Sequence, residues 1–186
     1  MKIVALMGSP RVGGNSDLLV REIMNAAAGQ GATVKGHKVG LLRLAGCQGC
    51  FGCKQQEQCV VKDEGREILA DVMDADAIVL GTPVYMWQMT GQLKLIVDRM
   101  FSFMNPDFSS KLAPGKKVVW AVAQGQTDLE LFAPYFANAS GMLKMVGFGD
   151  VKIVVAGGTA EKGDVLQQPE ALAKARDLGE WLAQPE

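Results

Sequence analysis

All four cysteines of the chain, Cys47, Cys50, Cys53 and Cys59, fall within thirteen residues. Thiolates are soft ligands and redox-active groups. A disulfide framework would spread its cysteines along the chain, so clustering points to metal or redox chemistry. Two successive two-residue gaps are the spacing of ferredoxin-type [4Fe–4S] loops, and Cys59 adds a fourth local ligand. Gly46, Gly49 and Gly52 let the backbone turn tightly and aim N–H groups at sulfur. Structural zinc usually draws on two separated ligand pairs, and this stretch has no second pair. Four readings stay open on spacing: a [4Fe–4S] cluster, free thiols, zinc, or a regulatory disulfide. The polar neighbours Gln48, Lys54, Gln55, Gln56 and Glu57 argue against buried, inert cysteine. Lys54, Lys62 and Arg43 are the cations available to balance a thiolate-ligated centre.

A second group of residues suits an anion. Gly8-Ser9-Pro10-Arg11-Val12-Gly13-Gly14-Asn15-Ser16 leads straight into a helical pattern. Small residues let backbone N–H groups converge, and the first helical turn leaves amides free to meet a phosphate. Ser9, Asn15 and Ser16 add neutral donors and Arg11 adds a charge. The loop lacks the Gly-Lys-Ser/Thr ending of a Walker motif and the GxGxxG of a dinucleotide site. The bland alternative is a glycine-rich turn with Asn15 or Ser16 as an ordinary helix cap.

Two further loops could hold a ring. Gly81-Thr82-Pro83-Val84-Tyr85-Met86-Trp87-Gln88-Met89-Thr90-Gly91 combines a stiff start with flat, polarizable side chains. Thr82, Pro83, Val84 and Tyr85 suit stacking and edge-on hydrogen bonds to an aromatic ligand. Trp87 and Met89 read rather as packing or a subunit contact. Gln124-Gly125-Gln126-Thr127 could donate to the edge of the same ring through Gln124. His37, the single histidine, reads as a surface residue on an edge strand. No side chain stands out as a catalytic acid or base.

The elements that must position these loops follow from periodicity. Apolar runs at Lys2–Met7, Ala77–Leu80, Lys116–Ala123 and Val151–Ala156 suit strands buried on both faces, and Thr33–Leu42 reads as a weaker edge strand. Helical patterns fill the gaps. They cover Ser16–Ala28, a short helix with Asp63 as N-cap, Gln92–Met104, a helix around Phe132 to Leu143, and one opened by Pro169. Lys94 and Asp98 stand four apart and can pair on one helix face, and Arg99 beside them reads as structural. Five strands alternating with five helices predict an α/β fold, a doubly wound five-stranded parallel sheet with helices on both faces. Such sheets bind ligands beyond the carboxyl ends of their strands, where the three loops lie. No repeat or linker divides residues 1–186, so a single domain with a four-cysteine loop at 46–60 is expected.

Composition narrows the function classes. With 186 residues the chain can remove roughly 70% of its extended surface from water. It is 48% hydrophobic and 21% charged, which excludes a disordered chain. A net charge of −1 gives no basic surface for nucleic acid or an anionic membrane. No apolar run approaches the ~20 residues that span a bilayer, and a cytoplasmic location is expected.

The four-cysteine loop, Gly8-Ser9-Pro10-Arg11 with Gly14-Asn15-Ser16, Gly81-Thr82-Pro83-Val84-Tyr85, and Lys94 with Asp98-Arg99 together resemble one family. The chain is similar to the NAD(P)H-dependent FMN reductases, and within them to the iron–sulfur flavoproteins. The resemblance implies a flavodoxin-like fold with FMN bound non-covalently. Ser9, Arg11, Asn15 and Ser16, with Pro10 and Gly14 in the same loop, would hold its phosphate, and Thr82 to Tyr85 would flank its ring. It also implies NAD(P)H as substrate, an electron acceptor, and a homodimer or homotetramer with FMN near a subunit boundary. Met86, Trp87, Met89 and Phe51 offer an apolar patch for such self-association. A flavodoxin-type carrier is the non-enzymatic alternative, a metal or thiol sensor another, and a quinone- or azo-reducing enzyme the nearest rival.

Overall fold

The structure is a computed structural model that describes residues 1–185. Five strands, β1 (Lys2–Met7), β2 (Thr33–His37), β3 (Ala77–Pro83), β4 (Lys117–Ala123) and β5 (Val151–Ala156), alternate with six helices. The helices are α1 (Asn15–Gly29), α2 (Gly52–Gln55), α3 (Gly65–Asp74), α4 (Gly91–Arg99), α5 (Ala133–Val146) and α6 (Pro169–Ala183). The strands form one parallel sheet in the order β2-β1-β3-β4-β5. This is the flavodoxin-like α/β order, and it reverses direction between β1 and β3.

Period-two alternation divides the core into two layers. Val4, Leu6, Ile78, Leu80, Val118, Trp120 and Val122 face α3, α4 and α5. Ile3, Ala5, Ala77, Val79, Val119, Ala121 and Val154 face α1 and α6. A sheet covered on both faces needs continuous apolar strands, and β1, β3 and β4 supply them. Trp120 is fully buried, and its indole N–H donates to Ser140 Oγ at 3.2 Å, so the one polar atom of the side chain is satisfied. On the other layer α1 and α6 pack so closely that a Cβ on Gly179 would lie 2.2 Å from the Ile23 carbonyl oxygen.

Two lysines at the start of β4 tie down helix ends. Lys116 Nζ donates to the carbonyls of Met73 and Ala75 at the end of α3. Lys117 Nζ donates to Trp181 O (3.2 Å) and Gln184 O (2.7 Å) at the end of α6. The last carbonyls of a helix have no partner within it, and a cation there also meets the negative end of the dipole. Burial lowers the Lys116 pKa below the ordinary lysine value.

Five local expectations need correction. β2 stops at His37, because the chain tightens into a 3₁₀ turn at Val39–Leu41 instead of continuing to Leu42. α4 ends at Arg99 and passes into a 3₁₀ turn over Met100–Phe103, which keeps Met100 and Phe103 buried. Glu64, not Asp63, occupies the cap position of α3; Asp63 lies one residue earlier, where its Oδ1 accepts from Gly65 N at 3.0 Å and its carboxylate also pairs with Arg99. His37 is no free surface residue: its side chain is 13% exposed and Nε2 lies 2.7 Å from Asp71 Oδ2, which Lys35 also engages. β3 in turn extends to Pro83, whose missing N–H falls at the strand end.

Candidate cofactor site

The loops after β1, β3, β4 and β5 meet in one cleft at the carboxyl edge of the sheet. Its walls include Ser9, Arg11, Gly14, Asn15 and Ser16 from the first loop. Pro83, Val84 and Tyr85 come from the second, Ala123 and Gly125 from the third, and Thr159, Ala160 and Lys162 from the fourth. The α1 N-terminus opens into this cleft behind Gly14, and no side chain caps it. First-turn amides without a side-chain cap, at the positive end of a 15-residue helix, are free to meet an anion. Gly13 has φ +66°, and a Cβ there would stand 3.3 Å from Lys162 Cε, so the glycine leaves room for the lysine above the loop.

The first loop is built as a rigid cradle. Ser9 Oγ accepts from Arg11 N at 3.1 Å, closing a tight turn. Arg11 Nη1 donates to Ala160 O at 3.1 Å. Asn15 Oδ1 accepts from Gly163 N (3.0 Å) and Val165 N (3.3 Å), and its Nδ2 donates to Glu161 O (2.7 Å). The Asn15 side chain therefore staples the β5–α6 loop to the phosphate loop, and its backbone N–H belongs to the open first turn. Asp17 Oδ2 accepts from Gly13 N and pairs with Lys38 at 2.5 Å, bracing the loop from beneath. Pro10 is exposed at the rim and is not among the cleft walls.

In the second loop Thr82 is fully buried and turned inward. Its hydroxyl accepts from Thr90 N at 3.0 Å and donates to Pro83 O at 2.8 Å. Thr90 then caps α4 and donates to Gly8 O at 2.8 Å, joining the first two loops. Pro83, Val84 and Tyr85 remain as wall, with Val84 N donating to Ala123 O. Gln124 is buried too, and its Nε2 holds Gln126 O and Asp128 O, so it stiffens its own loop. Past Tyr85 the chain makes a two-residue turn closed by Tyr85 N to Gln88 O and Gln88 N to Tyr85 O. Met86 (φ +45°) and Trp87 (φ +67°) both occupy the left-handed region. Positive φ at both central residues is the type I′ pattern, strained for side chains of this kind. Met86 is 84% and Trp87 65% exposed, with Trp87 edge-on to Phe132, whereas Met89 is buried.

Several of these participants escaped the sequence reading. Lys162 and Thr159 lie far along the chain in an ordinary-looking loop. Gly40 carries another hidden role: a Cβ there would lie 2.2 Å from Ser9 O, so the turn after β2 supports the phosphate loop through backbone contact. The only sequence signal for it was the glycine that interrupts the β2 pattern.

The four cysteines border a separate small pocket together with Phe51, Arg99 and Phe101. Cys47 and Cys50 are exposed, and Cys53 and Cys59 half-buried. Among the described residues no group of three His, Cys, Asp or Glu side chains is drawn into a metal-holding arrangement. The donor chemistry and its surroundings nevertheless suit a thiolate-ligated centre. Gly52 has no room for a Cβ, which would meet Val60 at 2.8 Å. Lys54 Nζ donates to Phe101 O (2.7 Å) and Met104 O (2.6 Å), and Lys111 Nζ to Cys53 O (3.3 Å). Lys54, Lys111 and Arg99 are thus the cations at the loop, while Lys62 and Arg43 are solvent-exposed and take no part. Burial lowers the Lys54 pKa.

The 2-1-3-4-5 parallel sheet defines a flavodoxin-like α/β protein, and the uncapped helix N-terminus with its glycine cradle at the switch point has the chemistry to suit a flavin mononucleotide phosphate. A profile of the NADPH-dependent FMN reductase family matches residues 1–147, and the chain belongs to this family of oxidoreductases. An iron–sulfur flavoprotein of Methanocaldococcus jannaschii is 32% identical over 99% of this chain and 96% of its own length. One from Archaeoglobus fulgidus is 30% identical over 99% of this chain and 80% of its own. Among solved structures, an NAD(P)H:quinone oxidoreductase from Methanothermobacter marburgensis superposes with a TM-score of 0.78 at 19% identity, covering 100% of this chain and 98% of its own. No described helix is long and apolar enough to cross a membrane.

Proposed function

We propose that this oxidoreductase moves electrons from NAD(P)H, through FMN held in the cleft, to a small-molecule or protein acceptor. The convergence of four loops on the uncapped N-terminus of α1 carries this reading. FMN, when bound, supplies the capacity to accept hydride and to release electrons singly or in pairs. The first-turn amides of α1 bind its dianionic phosphate, and Arg11 and Lys162 add positive charge at the same end. Asn15, Asp17 and Thr90 keep the cradle from reorganising when the anion arrives. Pro83, Val84 and Tyr85 on one side, with Ala123 and Gly125 on the other, form the walls that orient a ring. Among the described residues no Asp, Glu, His or Cys is part of the cleft walls, which suits hydride transfer, a reaction needing no side-chain acid or base.

The four-cysteine loop is read as the seat of a [4Fe–4S] cluster, supported by its spacing, its three nearby cations and the names of the relatives. A homodimer or homotetramer would cover the exposed Met86, Trp87 and Phe51. A quinone- or azo-reducing enzyme without a cluster is the second reading, favoured by the shared fold of the Methanothermobacter marburgensis NAD(P)H:quinone oxidoreductase.

Anaerobically purified protein, assayed for iron and acid-labile sulfide and then supplied with NAD(P)H and a panel of quinones, azo dyes and ferric compounds, separates these. Iron with sulfide supports the cluster. Turnover without iron leaves the quinone- or azo-type enzyme, and an absence of NAD(P)H oxidation contradicts the enzymatic reading.

A further inference from the structure

Arg99 is the one fully buried arginine among the described residues, with a side chain 0% exposed. It sits at the end of α4, under the cysteine loop, and gathers both ends of that loop. Nη1 donates to Ala45 O at 3.3 Å on the near side. Nη2 donates to Val61 O at 3.4 Å on the far side. Asp63 lies 2.7 Å from Nη1 and also accepts from Ala45 N at 2.9 Å. The neck of the 46–60 segment is therefore closed around a single guanidinium. Gly65 makes the arrangement possible, since a Cβ there would lie 2.3 Å from Nη1 and 2.8 Å from Cζ.

Arg99 also lines the pocket that all four cysteines border, and Asp63 does not. Nε of Arg99 is buried and has no hydrogen-bond partner. A buried cationic N–H without a partner is costly. Arg99 thus lines the sulfur-bordered cavity with one donor unspent, while Asp63 is turned to the backbone of Ala45 and Gly65.

We propose that Arg99 is the positioning residue of the cysteine loop: it closes the loop's neck and places a permanent positive charge beside the sulfurs, raising the reduction potential of the iron–sulfur centre they hold. The inference rests on the cluster reading above. A thiolate-ligated centre grows more negative on reduction, so a fixed cation in a low-dielectric site favours the reduced form. The planar fork of arginine spans Ala45, Val61 and Asp63 together, which the single ammonium of lysine cannot.

The test is a redox titration, followed by electron paramagnetic resonance, of full-length protein loaded with FMN, iron and sulfide. It compares wild type with Arg99→Lys and Arg99→Gln. The expected order of potentials is wild type highest, Arg99→Lys between, and Arg99→Gln lowest, with FMN binding retained because Arg99 does not line the flavin cleft. Should Arg99→Gln fail to fold, Gly65→Ala moves the guanidinium without removing its charge and should lower the potential by a smaller step. Equal potentials in loaded wild type and variants overturn the role of Arg99 and leave the cluster standing. A wild type that takes up no iron overturns the cluster reading itself, and the inference falls with it.

Discussion

At the scale of single residues, charge placement separates the site from the scaffold. Lys162 stands above Gly13 with no carboxylate partner among the described ion pairs, which marks it for an external anion. Replacing it by methionine should weaken FMN binding about fivefold, on the order of 1 kcal/mol, measured by flavin fluorescence quenching. Because the side chain is exposed, the effect should shrink at high salt. Asp71 belongs to the scaffold. Its own burial raises its pKa, but Lys35 and His37 outweigh this and hold it below the ordinary carboxylate value. A carboxylate depressed on folding contributes its full stability above the unfolded pKa and loses it as pH falls through the folded one. Asp71→Asn should therefore cost about 1 kcal/mol in urea unfolding at neutral pH. The two proteins should converge in stability at strongly acidic pH. The place of Asn15 in the cleft wall was legible from its position in the loop. Its side chain serves the β5–α6 loop, however, a partner almost 150 positions away that no local pattern reveals.

At the scale of elements, the sequence was most informative where periodicity is strong and least where a tertiary contact redirects the chain. β1, β4 and β5 fell where apolar runs placed them. β2 ended early because Gly40 must approach Ser9, and Asp63 serves Arg99 as well as the first amide of α3. Neither competitor is visible locally. The turn at Met86 and Trp87 was illegible for a different reason: type I′ turns announce themselves through Asn and Gly, and this one uses neither. The strain there is testable. Met86 is almost fully exposed, so Met86→Asn removes little packing and supplies a residue that tolerates positive φ. It should stabilise the protein by up to about 1 kcal/mol, a rise in Tm of about 2–4 °C by calorimetry.

At the scale of the whole molecule, the cofactor site is an outcome of how the sheet edges and helices are locked together. Thr90 joins α4 to Gly8, Asn15 joins α1 to the last loop, and Gly40 joins the β2 turn to Ser9. A substitution remote from the cleft walls should thus be felt inside it. Gly40→Ala sets a methyl group against the Ser9 backbone, so it should cost about 1–3 kcal/mol of stability and weaken FMN binding, as read by calorimetric titration. Unchanged affinity would show the cradle to be independent of the β2 turn. The central claim is that the α1 cradle recognises a phosphate, and the most direct measurement compares FMN with riboflavin, which differs by that group alone. Calorimetric titration of the flavin-free protein should give tight one-to-one binding of FMN and affinity lower by orders of magnitude for riboflavin. Equal affinities for the two, or binding of neither, would contradict the account.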